Sequence, residues 1–288
     1  MMTTEESPQL LIVSTKIDLA TDYVVLRLEE IRAKFFRINS EDLPLEVHAS
    51  LIPTPDPKFH WISSKDQHID LRSIRSVWFR RHRLPEMPVE MDRADQDYCL
   101  READWFVKGL VYSLALGSGQ VRWMNHPERA SSAESKIVQL NVAAALGLNV
   151  PETLVSNDPA KIRDFCARNH GEVVAKPLRL GYFDFGHRQT CVFTTRITEE
   201  HLKNDESLRI APVIYQSLIH KSFDIRVTIV GDQVFSAAID SQSVPSAKID
   251  WRRSETDDLR HLSHELPAAV EAKCLELMKA ALALVRST

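Results

Sequence analysis

YQSLIHKSFDIRVTIVGDQVFSAAIDSQ, residues 215–242, decides the fold of the C-terminal half. Polar and apolar residues alternate through DIRVTI, the period of a strand, and the largely apolar QVFSAAI reads as the next strand. Gly231-Asp232 between them is a two-residue hairpin turn. Just upstream, APVIYQSLI reads as a further strand that runs into a polar corner at Gln216, Ser217, Leu218 and Ile219. Such a corner offers a backbone donor and acceptor side by side with apolar walls, which is what recognition of an adenine ring requires. Arg226 faces away from its strand neighbours Ile225 and Val227, where a guanidinium can clamp a phosphate or a carboxylate. A surface ion pair with Asp224 or Asp240 is the competing account of the same arginine.

Working toward the N-terminus, GEVVAKPL is a strand with one charged residue, Lys176, in an apolar run. Burying an ammonium is costly without a partner, and a triphosphate is a suitable one. An edge-strand lysine turned to solvent explains the residue equally well. The loop RLGYFDFGHRQT carries Gly181 and Gly186 and can fold over phosphates through backbone N–H groups, although an ordinary hairpin accounts for it too. TLVS is a strand, and Asp158 to Asn169 a helix with proline at a permitted early position. WMNHPERASSAESKIVQLNVAAALGL reads as a turn followed by one helix ending at Gly147, with Lys136 on it. Glu265 to Arg286 is an amphipathic helix.

In the N-terminal half, Leu10 to Val13, Ile17 to Ile31 and Lys34 to Ile38 read as strand, helix and strand, a parallel βαβ unit. Leu45 to Ile52 and Phe59 to Ser63 are antiparallel strands on either side of PTPDP, and SVWFR is another strand. Asp92 caps a long helix that runs to about Leu116. Arg80 and Arg81 follow SVWF in a basic cluster, and Trp251-Arg252-Arg253 forms a second one. Each is either a solvated loop or an anion or peptide site.

Composition narrows the function without naming it. The 288 residues are 44% hydrophobic and 26% charged with a net charge of −4, so no global field favours nucleic acid. Four scattered cysteines fit reduced thiols in a cytosolic protein better than disulfides. The N-terminus has no signal-peptide pattern, and no apolar run approaches the roughly 20 residues of a membrane span, so a soluble, cytoplasmic protein is expected. HExxH, a P-loop, GxGxxG and a GxSxG elbow are all absent. His261 and His264, at helical spacing, have no third metal ligand.

Taken in order, LIVSTKIDLATDYVVLRL, SVWFRR, WMNHPERASSAESKIVQL, VVAKPL, IYQSLIHKSFDIRVTIVGDQVF and IDWRR resemble the ATP-grasp superfamily, and within it the microviridin- or graspetide-type peptide maturases. The resemblance spans nearly the whole chain. It implies an α/β fold, α+β in its C-terminal half: a pre-ATP-grasp domain over 1–124, then ATP-grasp subdomains over 125–212 and 213–288. By the same resemblance Lys136 and Lys176 contact the phosphates of ATP, with Gly181 in the phosphate loop. Gln216, Ser217, Leu218 and Ile219 read adenine, Lys221 and Asp224 lie close to the nucleotide, and Arg226 serves the transferred phosphate. Arg80, Arg81 and Arg252 are implied to meet an acidic peptide.

The implied activity is ligation within a ribosomal precursor peptide that carries a leader, through acyl phosphates of its Asp or Glu residues, giving ester or amide crosslinks. A homodimer is compatible with this, and neither nucleic acid nor membrane is an expected partner. Magnesium is expected for the family, yet its ligands, an Asp and an EINP-like Glu and Asn, have no counterpart here. The chain therefore reads as C-terminally short, with no assigned metal residue. Two alternatives follow: a peptide- or nucleotide-binding homologue without ligase activity, or an amino-acid-adding ligase related to glutathione synthetase.

Overall fold

The computed structural model describes residues 8–43, 45–52, 60–64, 67–85, 87–88, 90–116, 121–179, 182–184, 189–254 and 259–283. The chain divides into two compact units, residues 1–130 and 131–288.

The first unit is built on a four-stranded sheet in the order β2-β1-β6-β7, parallel throughout. Its strands are β1 (Leu10–Ser14), β2 (Phe35–Asn39), β6 (Ser76–Phe79) and β7 (Arg122–Met124), and helix α1 (Leu19–Glu30) connects the first two. Parallel strands are covered on both faces and read as apolar runs, hence the burial of Leu11, Ile12 and Val13. Helix α2 (Arg93–Leu116) lays Val107, Leu110, Val111 and Leu114 against Leu11, Val13, Phe36 and Val77. These positions recur at three- and four-residue spacing, so they share one stripe of the helix. Asp92 starts α2 as expected, its carboxylate accepting from the Ala94 N–H at 2.9 Å. A separate antiparallel sheet joins β3 (His48–Leu51), β4 (His60–Ser64) and β5 (Gln67–Asp70), so the two strands around PTPDP do pair, while 53–59 lie outside the described residues.

Two expectations fail near the unit boundary. β7 was not expected, because a three-residue strand is too short to show a period. The single helix after it is two, α3 (Pro127–Ala133) and α4 (Lys136–Ala145). The break is Ser135, whose extended backbone (φ −67°, ψ 110°) ends one helix and opens the next.

In the second unit an antiparallel sheet runs β12-β9-β13-β8. It comprises β8 (Thr153–Ser156), β9 (Val173–Lys176), β12 (Thr195–Arg196) and β13 (Val213–Ser217). Residues of α5 (Pro159–Arg168) and α6 (Asp205–Ile210) close one face, where Ile162, Phe165 and Leu208 pack with Val173 and Tyr215. Burying a side chain such as Phe165 contributes roughly 1.5–3 kcal/mol. The expected helix has its proline at the first position, and Asp158 caps it by accepting from the Ala160 and Lys161 N–H groups. β10 (Tyr182–Asp184) and β11 (Gln189–Cys191) pair as a hairpin, so the glycine-containing loop is in part an ordinary hairpin.

The opening stretch forms β14 (Asp224–Val230) and β15 (Gln233–Ile239), joined by a hairpin in which Gly231 takes φ +62°, a left-handed value that glycine adopts without cost. A short β16 (His261–Ser263) adds to β15. His261 and His264 therefore sit on and beside a strand, not on a helix. The last helix, α7 (Ala268–Ala283), starts three residues later than expected because Pro267 precedes it; residues 284–288 are outside the described set. Lys273 of α7 donates to the Leu146 carbonyl at the end of α4 (2.6 Å), a favourable place for a cation.

Candidate functional site

The alternation of the β8-β9-β13 sheet sorts its residues. Tyr215, Ala175 and Val173 face the helices, which leaves Lys176, Gln216 and Thr153 together on the opposite face. There Lys176 Nζ donates to Gln216 Oε1 at 2.6 Å, Gln216 Nε2 donates to Thr153 Oγ1 at 2.9 Å, and Thr153 Oγ1 donates to the Pro151 carbonyl at 2.7 Å. β9 lies between β12 and β13, so Lys176 is not an edge-strand lysine turned to solvent. Gln216 is only 4% exposed, and both ends of its amide are engaged. Its side chain holds the lysine in place.

Three further cations lie around Lys176. Lys136, at the first position of α4, donates to the Pro177 carbonyl just past β9. Lys221 pairs with Asp224 (2.8 Å) and donates to the Ile249 carbonyl (3.2 Å). Arg252 forks onto Asp250, Nε at 2.8 Å and a terminal nitrogen at 2.6 Å. Burial first, then the charge of Lys136, then those of Lys221 and Arg252, push the Lys176 ammonium below its ordinary pKa, with Asp250 opposing. Lys136 is pushed the same way by burial and by Arg252, again against Asp250. Among the described residues, these four cations meet two carboxylates, Asp224 and Asp250, an excess of positive charge. Desolvated, mutually repelling cations gain from an anion with several negative oxygens.

Asp250 was not singled out in the sequence, although the fold turns on it. It is 3% exposed in its side chain, binds Arg252 and accepts from the buried Thr194 N–H at 2.9 Å. Burial alone raises its pKa; the bonds from Arg252 and Thr194 outweigh that and bring it down to about 2.

At the strand-end corner, two of the backbone donors are already used. The Ser217 N–H donates to the Glu152 carbonyl at 3.0 Å and the Leu218 N–H to the Glu172 carbonyl at 2.8 Å. Ile219 beyond them is 59% exposed. Arg226 is exposed on β14 opposite Ala237, and among the described residues it makes no hydrogen bond or ion pair, with Asp224, Asp240 or any other group. The structure does not bring it into contact with the lysine group. Gly181 lies outside the described residues. Also among the described residues, no three His, Cys, Asp or Glu side chains are placed to hold a metal ion, and both carboxylates near Lys176 are engaged by cations. The site as described does not fit magnesium.

In the first unit, Arg80 and Arg81 follow β6, and both approach Asp18, whose side chain is 3% exposed. That aspartate was not singled out in the sequence either, where it falls within the helix expected from Ile17 to Ile31.

Comparison with known proteins fits this architecture. Residues 9–130 match the MvdD pre-ATP-grasp domain model. The macrocyclase MdnC of Microcystis aeruginosa MRC, solved with precursor peptide MdnA, superposes with a TM-score of 0.80 at 32% identity, covering 94% of this chain and 83% of that one. The chain belongs to the ATP-grasp ligases that mature ribosomal peptides. A ribosomal-peptide-associated ATP-grasp ligase of Chryseobacterium gregarium, in complex with ADP and leader and core peptides, matches with a TM-score of 0.81 at 25% identity, covering 95% of this chain and 82% of that one. MdnB, a second Microcystis macrocyclase, gives 0.75 and 27%, over 94% and 83%. No curated protein sequence matches the chain. Among the described residues no helix is long and apolar enough to cross a membrane.

Proposed function

We propose that the chain is an ATP-dependent ligase that joins a carboxyl side chain of a ribosomal precursor peptide to a hydroxyl or amine of the same peptide. The observation that carries this reading is the cluster of cations around Lys176, the lysines among them half-buried, in a family whose relatives were solved with ADP and precursor peptides. In this reading Lys136 and Lys176 neutralise the phosphates of ATP. Gln216 fixes Lys176, so the ammonium needs little reorganisation when the nucleotide arrives. Since the Leu218 N–H is occupied, the backbone donor for the adenine edge is assigned to Ile219, with Lys221 and Asp224 at the rim. Arg226, with no hydrogen-bond or ion-pair partner among the described residues, is available to a phosphoryl group or carboxylate.

A peptide carboxylate oxygen attacks the γ-phosphorus, the bond to the β-phosphate oxygen breaks, and ADP leaves. The hydroxyl or amine then attacks the acyl carbon, loses its proton, and inorganic phosphate departs with the bond electrons. Positioning and charge neutralisation supply the catalysis, and no enzyme nucleophile is required.

Intact-mass measurement of an acidic precursor peptide incubated with the protein, ATP and magnesium tests the reading. Loss of one water per crosslink is expected. A gain of one amino-acid residue would replace this ligase with an amino-acid-adding one, and an unchanged mass despite tight peptide binding would reduce the chain to a binding module.

A further inference from the structure

Arg80 and Arg81 are anchored alike. The backbone N–H groups of both reach the Val13 carbonyl at the end of β1, at 2.9 and 3.4 Å. Their Nε atoms lie 3.6 and 3.9 Å from the same oxygen of Asp18. That oxygen also accepts from Ser14 Oγ and Thr21 Oγ1, each at 3.1 Å. Although Asp18 stands at the cap position of α1, its side chain makes no bond to the helix amides, which frees the carboxylate for the arginines.

Two neighbouring cations have acidic partners of their own. Lys16 is held by Asp42 and Glu46, and Arg37 by Asp22 and the Thr15 carbonyl. Two guanidiniums thus share one buried carboxylate, a surplus of one positive charge among the described residues, while their side chains stay 30% and 48% exposed. The topology marks the same spot. β1 is followed by its crossover to β2 on one side, and β6 flanks it on the other, so the chain ends after β1 and β6 border a switch point at the carboxyl edge of a parallel sheet. Open α/β sheets bind their ligands there.

We propose that Arg80 and Arg81 together bind a carboxylate side chain of the peptide, and that Asp18 is the positioning residue that makes the two act as one fork. The identity of the ligand as a peptide rests on the proposed ligase function; the paired-arginine geometry does not. Asp18 offsets the repulsion between the guanidiniums and turns their inner edges inward, which leaves the outer N–H groups for a planar, two-oxygen partner.

The test is binding, by calorimetry without nucleotide, of a synthetic peptide with three Glu residues among Ser and Thr, and of its Gln counterpart. The wild-type protein is expected to prefer the Glu peptide about tenfold, a typical discrimination for a charge-assisted fork. Arg80→Gln and Arg81→Gln, both at partly exposed positions, should each remove the preference. Asp18→Asn should remove it with no effect on the Gln peptide, and should add nothing in the Arg80→Gln/Arg81→Gln background, where a merely structural role would still lower both affinities. Equal affinity for the two peptides in the wild type, or an Asp18→Asn loss that persists without the arginines, overturns the proposal. Crosslinking activity with no Glu preference sinks this site alone. A Glu preference with no crosslinking sinks the ligase reading and leaves the site standing.

Discussion

Each unit of the molecule holds arginine against a buried aspartate, and the two do it differently. Asp250 is forked by one arginine at 2.6–2.8 Å and also carries a buried backbone N–H, so it is saturated and Arg252 is fixed. Asp18 is shared at 3.6–3.9 Å by two arginines that keep their outer edges. The tight fork is an element of structure, and the surplus charge around it comes from Lys136 and Lys176. In the loose pair the arginines themselves are the surplus. A close bidentate pair fixes a loop, whereas a wide, shared one leaves donors for a ligand.

The sharpest way to break the comparison is Asp250→Ala. It removes the carboxylate onto which Arg252 forks and to which the buried Thr194 N–H donates, and a loss of about 3 kcal/mol is expected in chemical denaturation. Asp18→Asn, with a hydrogen-bonding amide still in place, should cost about 1 kcal/mol. Equal losses in the two variants would erase the distinction.

Acid titration sharpens it. The Asp250 pKa falls on folding from the ordinary 3.8 to about 2, so its contribution is fully present above pH 3.8 and is lost as pH drops toward 2. That contribution is roughly 2 kcal/mol. Asp250→Asn should remove this part of the acid-stability profile.

The smallest effect is a fraction of a proton. Lys176 and Lys136 have lowered pKa values, and a bound polyphosphate raises them again, so nucleotide binding should take up protons at alkaline pH. Affinity then falls as pH rises through those lowered values toward 10.5. Calorimetry in two buffers of different ionisation enthalpy measures the uptake, and Lys176→Ala should reduce it.

Much of this fold was legible because period and punctuation are local properties. The βαβ opening, the β14-β15 hairpin with Gly231, the cap at Asp92 and the early proline of the helix from Asp158 all declare themselves within a few residues. Features set by distant partners did not. β7 and β16 are three residues each, too short for a period, and Ser135 splits a helix that its composition would continue. In the candidate site, Lys176 stood out as a charge in an apolar strand, but its partner Gln216 lies 40 residues away, and the Thr153 that holds Gln216 lies 63 residues from it. Asp18 and Asp250 look like ordinary cap and turn residues; only folding shows that 62 residues separate Asp18 from Arg80, its nearer arginine in sequence.

The account stands or falls on whether the cation group around Lys176 binds nucleotide. Titration of fluorescent N-methylanthraniloyl-ADP into the wild type and into Lys136→Ala/Lys176→Ala, with Arg80→Gln/Arg81→Gln as the first-unit control, tests this most directly. Loss of affinity of about a hundredfold in the lysine double variant, with the arginine variant unchanged, is the predicted result. Equal affinity in all three proteins would contradict it.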